Sequence, residues 1–305
     1  MLINKIKYMI QNIDLIDKKI PIKAVIASAN NQIAIDSAKQ ALDKGLIVPM
    51  LVGNHDYIKN EADRIGWQID DEMIIDTKNE SESAYKSCQL AQNDQVSLII
   101  KGHMHTDVLM GEYIKSKHSL RLKGKRLSHI WFMTFNDSER EHLVITDGAL
   151  NIKPSLETKK AIIGNVINFI GKIESFDPKI AILSATEEIL DQMESSLDAG
   201  KLVEWSKDSY PNHKIFGPLA FDNAISKEAA LVKGTNNSVA GNANIIIVPN
   251  IETGNSLVKI MVNFMNATAG GFVVGGKVPV VITSRSDNVD SRLSSISNAI
   301  LSIDK

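Results

Sequence analysis

Short apolar runs alternate with longer stretches of mixed polarity along most of the chain. The runs lie at residues 24–27, 46–52, 96–100, 142–145, 179–183, 244–248 and 278–282, and Val and Ile dominate them. Runs this short, with no polar alternation, suit strands buried on both faces. Between them, residues 31–44, 157–170, 187–197, 254–265 and 288–303 carry apolar positions at helical spacing. The order strand, helix, strand predicts an α/β fold built on a parallel sheet. A strand end, Gly and Pro fall together in residues 147–154 (DGALNIKP), and SLET at 155–158 opens a helix, so a domain boundary is expected there.

Composition narrows the function classes. The 305 residues are 44% hydrophobic and 23% charged, with a formal net charge of −2. A chain of this length has enough core to need no disulfide or metal. The sequence pI of about 6.4 argues against nucleic acid as a partner, since backbone binding needs a basic excess. Cys88 is the single cysteine, which excludes a disulfide framework and a multi-cysteine metal site. Lysines interrupt the opening residues, and no window is apolar for the ~18–20 residues that a bilayer span requires. A reducing, cytoplasmic setting with no membrane partner is expected.

Five segments carry candidate chemistry. KGHMHTDVLM (101–110) follows an apolar run, at a strand end where open α/β sheets bind ligands. His103 and His105 lack the further ligands of a metal set, and the local reading is that Thr106 caps a helix. GPLAFDNAI (217–225) reads as a turn into a helix, with Asp222 in an apolar frame. VPNIETG (248–254) is another strand end, with Thr253 or Asn255 as the expected helix cap. GGFVVGGKV (270–278) nearly matches a Walker A loop, but Val278 stands where the Mg²⁺-holding hydroxyl belongs and a strand follows. Its glycines fit a tight turn or close backbone approach instead. TSRSDNVD (283–290) places hydroxyl, guanidinium and carboxylate groups directly after a strand. There Arg285 suits phosphate, Ser284 suits a developing oxyanion, and Asp287 or Asp290 suits a proton. No GxGxxG or GxSxG fingerprint is present. Cys88 lies in a helix-like stretch without a catalytic partner, the usual place of a packed thiol.

In their order and spacing, KGHMHTDVLM, ITDGALNIKPSLETKK, KIAILSATEE, GPLAFDNAIS, SVAGNANIIIVPNIETGN and VPVVITSRSD resemble the phosphate acetyl/butyryltransferase family, above all its butyryltransferase-like branch. The resemblance runs from about Ser81 to the C-terminus. It implies a two-domain isocitrate/isopropylmalate dehydrogenase-like fold with an interdomain cleft. Residues 1–149 with 284–305 would form the first domain and residues 150–283 the second. The implied reaction is acyl-CoA plus phosphate giving acyl phosphate plus coenzyme A. Coenzyme A is then a substrate, no cofactor is permanently bound, and a homodimer or higher homo-oligomer is implied.

The resemblance also assigns roles. Ser284 would bond the reacting thiol or carbonyl, Arg285 would hold phosphate, and Asp290 would act as base. The family's acetyltransferases carry that Asp one position later, at Ser291 here. Substrate binding would fall to His105, Thr106, Arg126, Asp222, Asn223, Asn255 and Thr283. Met110 lies near the place of an acetyltransferase Arg, and Phe216 replaces an Asp before GPLAFDN. A dehydrogenase on the related fold and a non-catalytic acyl-CoA-binding regulator are the competing readings.

Overall fold

The computed structural model describes residues 16, 21–135, 142–173, 176–283 and 289–303. They divide into two compact units, one running to Leu127 and resuming at Thr268, the other Ser128–Ala267.

The first unit opens with β1 (Ile22–Ala27), α1 (Gln32–Asp43), β2 (Ile47–Gly53), α2 (His55–Arg64), β3 (Ile74–Asp76), α3 (Glu80–Gln92), β4 (Leu98–Lys101) and α4 (Thr106–Tyr113). β1 pairs in parallel with β2 and β4, Val25 lying opposite both Met50 and Ile99. Val25, Leu51, Leu98 and Ile99 are all fully buried. Each such side chain contributes about 1.5–3 kcal/mol by leaving water. Helix starts are set by side-chain caps: Asn31, Asn54 and Asn79 accept from Ala34, Tyr57 and Glu82 N–H groups.

The second unit contains β5 (Ser128–Thr134), β6 (His142–Thr146), α5 (Leu156–Ile170), β7 (Lys179–Leu183), α6 (Glu194–Ser209), β8 (Lys214–Leu219), α7 (Phe221–Ile225), α8 (Lys227–Val232), β9 (Ile245–Ile247) and α9 (Ile251–Phe264). β6, β9, β7 and β8 run parallel in that spatial order, and β5 lies antiparallel on β6 with Trp131 opposite Ile145. As SLET implied, Ser155 caps α5, accepting from the Thr158 N–H at 3.3 Å.

The chain then returns to the first unit through β10 (Thr268–Val274), β11 (Val280–Val281) and α10 (Val289–Leu301). β11 is parallel to β4, Val281 facing Ile100, and β10 folds back antiparallel on β11. α10 buries Leu293, Ile296 and Ile300. A Cβ on Gly270 of β10 would lie 2.5 Å from Asn298 Nδ2, so glycine there permits the close approach of α10.

Several sequence expectations need correction. Residues 187–193 are irregular, with a turn only at 191–192, and the helix starts at Glu194. Thr186 Oγ1 accepts from the Glu188 N–H, and Ser196 Oγ from the Leu190 N–H, so side chains compete with helical bonding there. β3, β5, β8 and β10 fall outside the expected strand runs. The compact units change over at 127/128 and 267/268, and the expected domain limits of 149/150 and 283/284 stand as a proposal. DGALNIKP links β6 to α5 inside the second unit, while the β10–β11 hairpin pairs with β4 of the first. In the Walker-like segment, Gly275 adopts φ 91° and Lys277 pairs with Asp94 at 2.8 Å.

Candidate active site

Two groups of strand ends gather the candidate residues, one in each unit. In the first unit the β4 end runs Lys101–His105 and is tied down at every step. The buried Lys101 Nζ donates to the Gly102 and Met104 carbonyls at 3.3 and 3.1 Å. The His103 N–H donates to the Ser28 carbonyl at 2.7 Å, and Ser28 Oγ donates back to the His103 carbonyl at 2.9 Å. A Cβ on Gly102 would fall 2.2 Å from the Ser28 oxygen, so only glycine fits. One oxygen of Glu80 accepts both the His105 N–H and His105 Nδ1, each at 3.0 Å. The His105 N–H, followed by the ring, holds the Glu80 carboxyl below the usual range.

His105, not Thr106, is the N-cap of α4, and Thr106 is its first residue. Thr283 lies two residues beyond the end of β11, beside this loop. It is buried, and its Oγ1 has no hydrogen-bond partner among the described residues. Lys101, Thr283 and the buried Arg292 line one small cavity with Ile26, Ile100 and Val281, with room for roughly one water. Ser284, Arg285 and Asp287 lie outside the described residues. Asp290 is exposed in the first turn of α10, and Arg126 is exposed ahead of β5.

In the second unit, Asp147 at the end of β6 is the most heavily bonded carboxylate. It is 1% exposed. Oδ2 accepts the His129 N–H at 2.9 Å and Asn151 Nδ2 at 2.6 Å; Oδ1 accepts the Ala149 and Leu150 N–H groups at 3.0 and 2.9 Å. Burial pushes this carboxyl up, against the pull of the donated bonds. The loop it holds touches α9 so closely that a Cβ on Gly254 would lie 2.6 Å from Gly148 Cα. Asn255, exposed, donates to the Gly148 carbonyl at 3.3 Å. Asn250 is the true cap of α9, accepting from the Thr253 N–H at 2.9 Å, in place of the expected Thr253 or Asn255. Asn223 is buried and donates to Glu187 Oε1, while its own Oδ1 has no partner among the described residues. Burial opposes charge on Glu187, yet bonds from Asn223 and the Ala220 N–H, with the Lys233 charge, bring its carboxyl below the ordinary range. Asp222 is exposed beside it.

Sequence reasoning missed Glu80, Asp147 and Glu187. Asp147 stood inside a segment read only as punctuation. Glu80 and Glu187 make contacts 25 and 36 positions away, which no local pattern encodes. Among the described residues, no group of three His, Cys, Asp or Glu side chains is placed to hold a metal ion.

Known proteins give the same picture over nearly the whole chain. The family model described as "Phosphate acetyl/butaryl transferase" matches residues 84–300. A phosphate acetyltransferase of Rhizobium meliloti is 37% identical over 282 residues, covering 92% of this chain and 89% of that protein. A phosphate butyryltransferase of Clostridium acetobutylicum is 34% identical over 280 residues, covering 92% of each. The crystal structure of a branched-chain phosphotransacylase from Enterococcus faecalis superposes with a TM-score of 0.78 at 29% identity, covering 92% of this chain and 98% of that one. A 4-hydroxythreonine-4-phosphate dehydrogenase from Burkholderia phymatum shares the fold alone, with a TM-score of 0.54, 12% identity and coverage of 92% and 98%. The chain belongs to the phosphate acetyl/butyryl transferase family of acyltransferases.

Proposed function

We propose that this enzyme moves a short acyl group between coenzyme A and inorganic phosphate, with Ser284 and Arg285 at the reacting centre. The observation that carries the reading is the family match through residues 84–300, which includes the whole TSRSDNVD segment. Thr283, its first residue, supports the reading: it follows β11, a strand parallel to β4, and lines a small cavity with Lys101 of the anchored 101–105 loop. Carboxyl ends of neighbouring parallel strands are where open α/β sheets hold ligands.

The chemistry follows from the groups assigned. A thiol near neutrality is mostly protonated and gains reactivity as thiolate. Thiolate attacks the acyl carbon of the acyl phosphate, the Ser284 hydroxyl donates to the oxyanion, and Arg285 holds the departing phosphate with its planar fork. One such donor is worth about 10²–10³ in rate. His105, Thr106, Arg126, Asp222, Asn223, Asn255 and Thr283 are assigned to substrate binding. Coenzyme A enters and leaves as a substrate. Relatives of similar identity are named for acetyl and for butyryl transfer, so chain length is set by comparing acetyl-, propionyl- and butyryl-CoA.

The enzyme is read as a cytoplasmic homodimer. Ile260 and Phe264, 50% and 84% exposed one turn apart on α9, support a self-association face. The buried free Cys88 fits a reducing compartment, and no helix of the described residues is long and apolar enough to cross a membrane.

The test is phosphate-dependent release of free thiol from each acyl-CoA. Arg285→Ala is expected to lower kcat/KM for phosphate by about 10²-fold or more. Absence of phosphate-dependent thiol with every acyl-CoA ends the proposal, and wild-type turnover by the variant removes Arg285 from the site.

A further inference from the structure

Three nitrogens stand without a hydrogen-bond partner on one strand of the second unit: Nδ1 and Nε2 of His129 and Nε1 of Trp131, among the described residues. Both residues belong to β5, and the His129 side chain is fully buried. Neither takes part in the chemistry assigned above. Native structures rarely leave such atoms unpaired, because burial strips them of water and returns nothing. We infer that His129 is an acid-sensitive latch: uptake of a proton opens the start of β5 and releases the loop at residues 148–151.

The closed structure has no place for a charged ring. A neutral imidazole offers one N–H and one lone pair, whereas the imidazolium presents two N–H donors and a full charge. Neither nitrogen meets an acceptor. The ring of Trp131 lies 4.5 Å away between centroids, tilted by 52°, and its indole nitrogen is itself a donor with no lone pair to give. Burial alone pulls the imidazole down to about 3.

The backbone of the same residue fastens β5 to the end of β6. The His129 N–H donates to Asp147 Oδ2 at 2.9 Å, and the His129 carbonyl accepts from Thr146 Oγ1 at 2.8 Å. Ile130, next in the chain, lies opposite Thr146 in the antiparallel pair. Asp147 in turn holds the Ala149 and Leu150 N–H groups and Asn151 Nδ2. Moving the His129 backbone far enough to bring its ring into water breaks the bonds to Thr146 and Asp147. The loop at 148–151 then loses the carboxylate's fixed position, and its tie from Asn255 to the Gly148 carbonyl is left to hold it.

A solvated histidine takes up its proton below pH ~6.5, and the closed one does so only at about 3. The closed form is therefore favoured in full above pH ~6.5 and loses this advantage as pH falls toward ~3, at roughly tenfold in the opening equilibrium per pH unit, or about 30-fold by pH 5. The titratable groups around the ring leave this sign intact. From β6 come Asp147 and, at the far end of the strand, His142. α5, bonded to β5 through Asn165 and Ser128, carries Lys159 and Lys160, which pair with Asp198 and Glu157. α9 carries Glu252 and Lys259, both exposed. Asp147 alone works against His129: burial pushes its carboxyl up, so its protonation favours the closed form as pH falls. Removing the imidazole while keeping Asp147 isolates the share of His129.

The experiment measures amide hydrogen exchange in the full-length enzyme between pH ~4.5 and ~7.5, as protection relative to the intrinsic rate at each pH, for wild type and His129→Phe. From pH ~7.5 to ~5 the Ala149 and Leu150 amides should lose about 30-fold more protection in wild type than in the variant, which keeps the backbone bonds but cannot ionise. Ala181 and Ile246, in the central strands β7 and β9, should not follow, since a latch opens locally. The His129 ring resonances of the folded enzyme should show no titration above pH ~4.5. A ring that titrates near pH ~6.5 in the folded enzyme overturns the inference, as does equal pH dependence in the two proteins. Loss shared equally by Ala181 and Ile246 overturns the latch, because the whole unit then opens at once. If His129→Phe fails to fold, the ring titration and the wild-type exchange pattern still decide. No substrate is needed, so the outcome is independent of the acyl-transfer reading.

Discussion

Replacing Asp147 by Asn tests whether one carboxylate holds the end of β6. Each carboxylate oxygen accepts from two donors: Ala149 and Leu150 N–H on Oδ1, His129 N–H and Asn151 Nδ2 on Oδ2. An amide turned either way points an NH₂ group at one pair. Two charge-assisted bonds are therefore lost, at about 1.5–3 kcal/mol each, and the freed donors sit in a site only 1% exposed. Local relaxation recovers part, which leaves a destabilisation of at least ~3 kcal/mol. For a unit of this size each kcal/mol moves the midpoint by about 2–4 °C, so thermal unfolding should begin roughly 6–12 °C lower. The assay is calorimetry with Asp177→Asn as control. Asp177 pairs with Lys214 at 2.8 Å but is 59% exposed, and such a pair is worth about 0–1 kcal/mol. Equal midpoints for the two variants would refute the reasoning.

The remaining predictions concern the first unit. Burial opposes ionisation of Glu112, but hydrogen bonds from Lys115, Lys117 and His118 outweigh it and hold the carboxyl down at about 2. The folded value lies below an ordinary Glu at about 4.3, so this contribution is complete above that pH and is lost as pH falls toward ~2. Glu112→Gln should flatten the acid limb of the stability curve, as followed by urea midpoints; an unchanged acid limb removes Glu112 as its source. Burial pushes the Cys88 thiol up to about 12, so the native enzyme should resist iodoacetamide at pH 8 while the urea-unfolded chain reacts fully. Native labelling at the unfolded rate would contradict the burial.

The sequence made the parallel core legible because its strands are apolar on both faces. β1, β2, β4, β6, β7 and β9 all fall in runs visible by eye. β5 and β10 escaped for opposite reasons. Ser128, His129 and Thr134 shorten the apolar run of the first, though all three are buried, and Ala-Gly-Gly lowers the apolar signal of the second. Strand-end placement of His105, Thr106 and Thr283 was readable from a run followed by Gly or hydroxyl residues. The caps were not: Asn250 and His105 hold those positions because the chain turns earlier than the sequence pattern suggests.

The three carboxylates that sequence reasoning missed share one physical role. Glu80 accepts the His105 N–H, Asp147 the N–H groups of His129, Ala149 and Leu150, and Glu187 that of Ala220. Each fixes a loop at the carboxyl end of a strand by bonding its backbone, which keeps the loop from reorganising when charge develops nearby. A carboxylate engaged in this way has its lone pairs directed at fixed donors, and for Glu80 and Glu187 those donors also hold the charged form. Glu80 and Glu187, held in the charged form, are therefore poor proton acceptors, while burial of Asp147 works the other way.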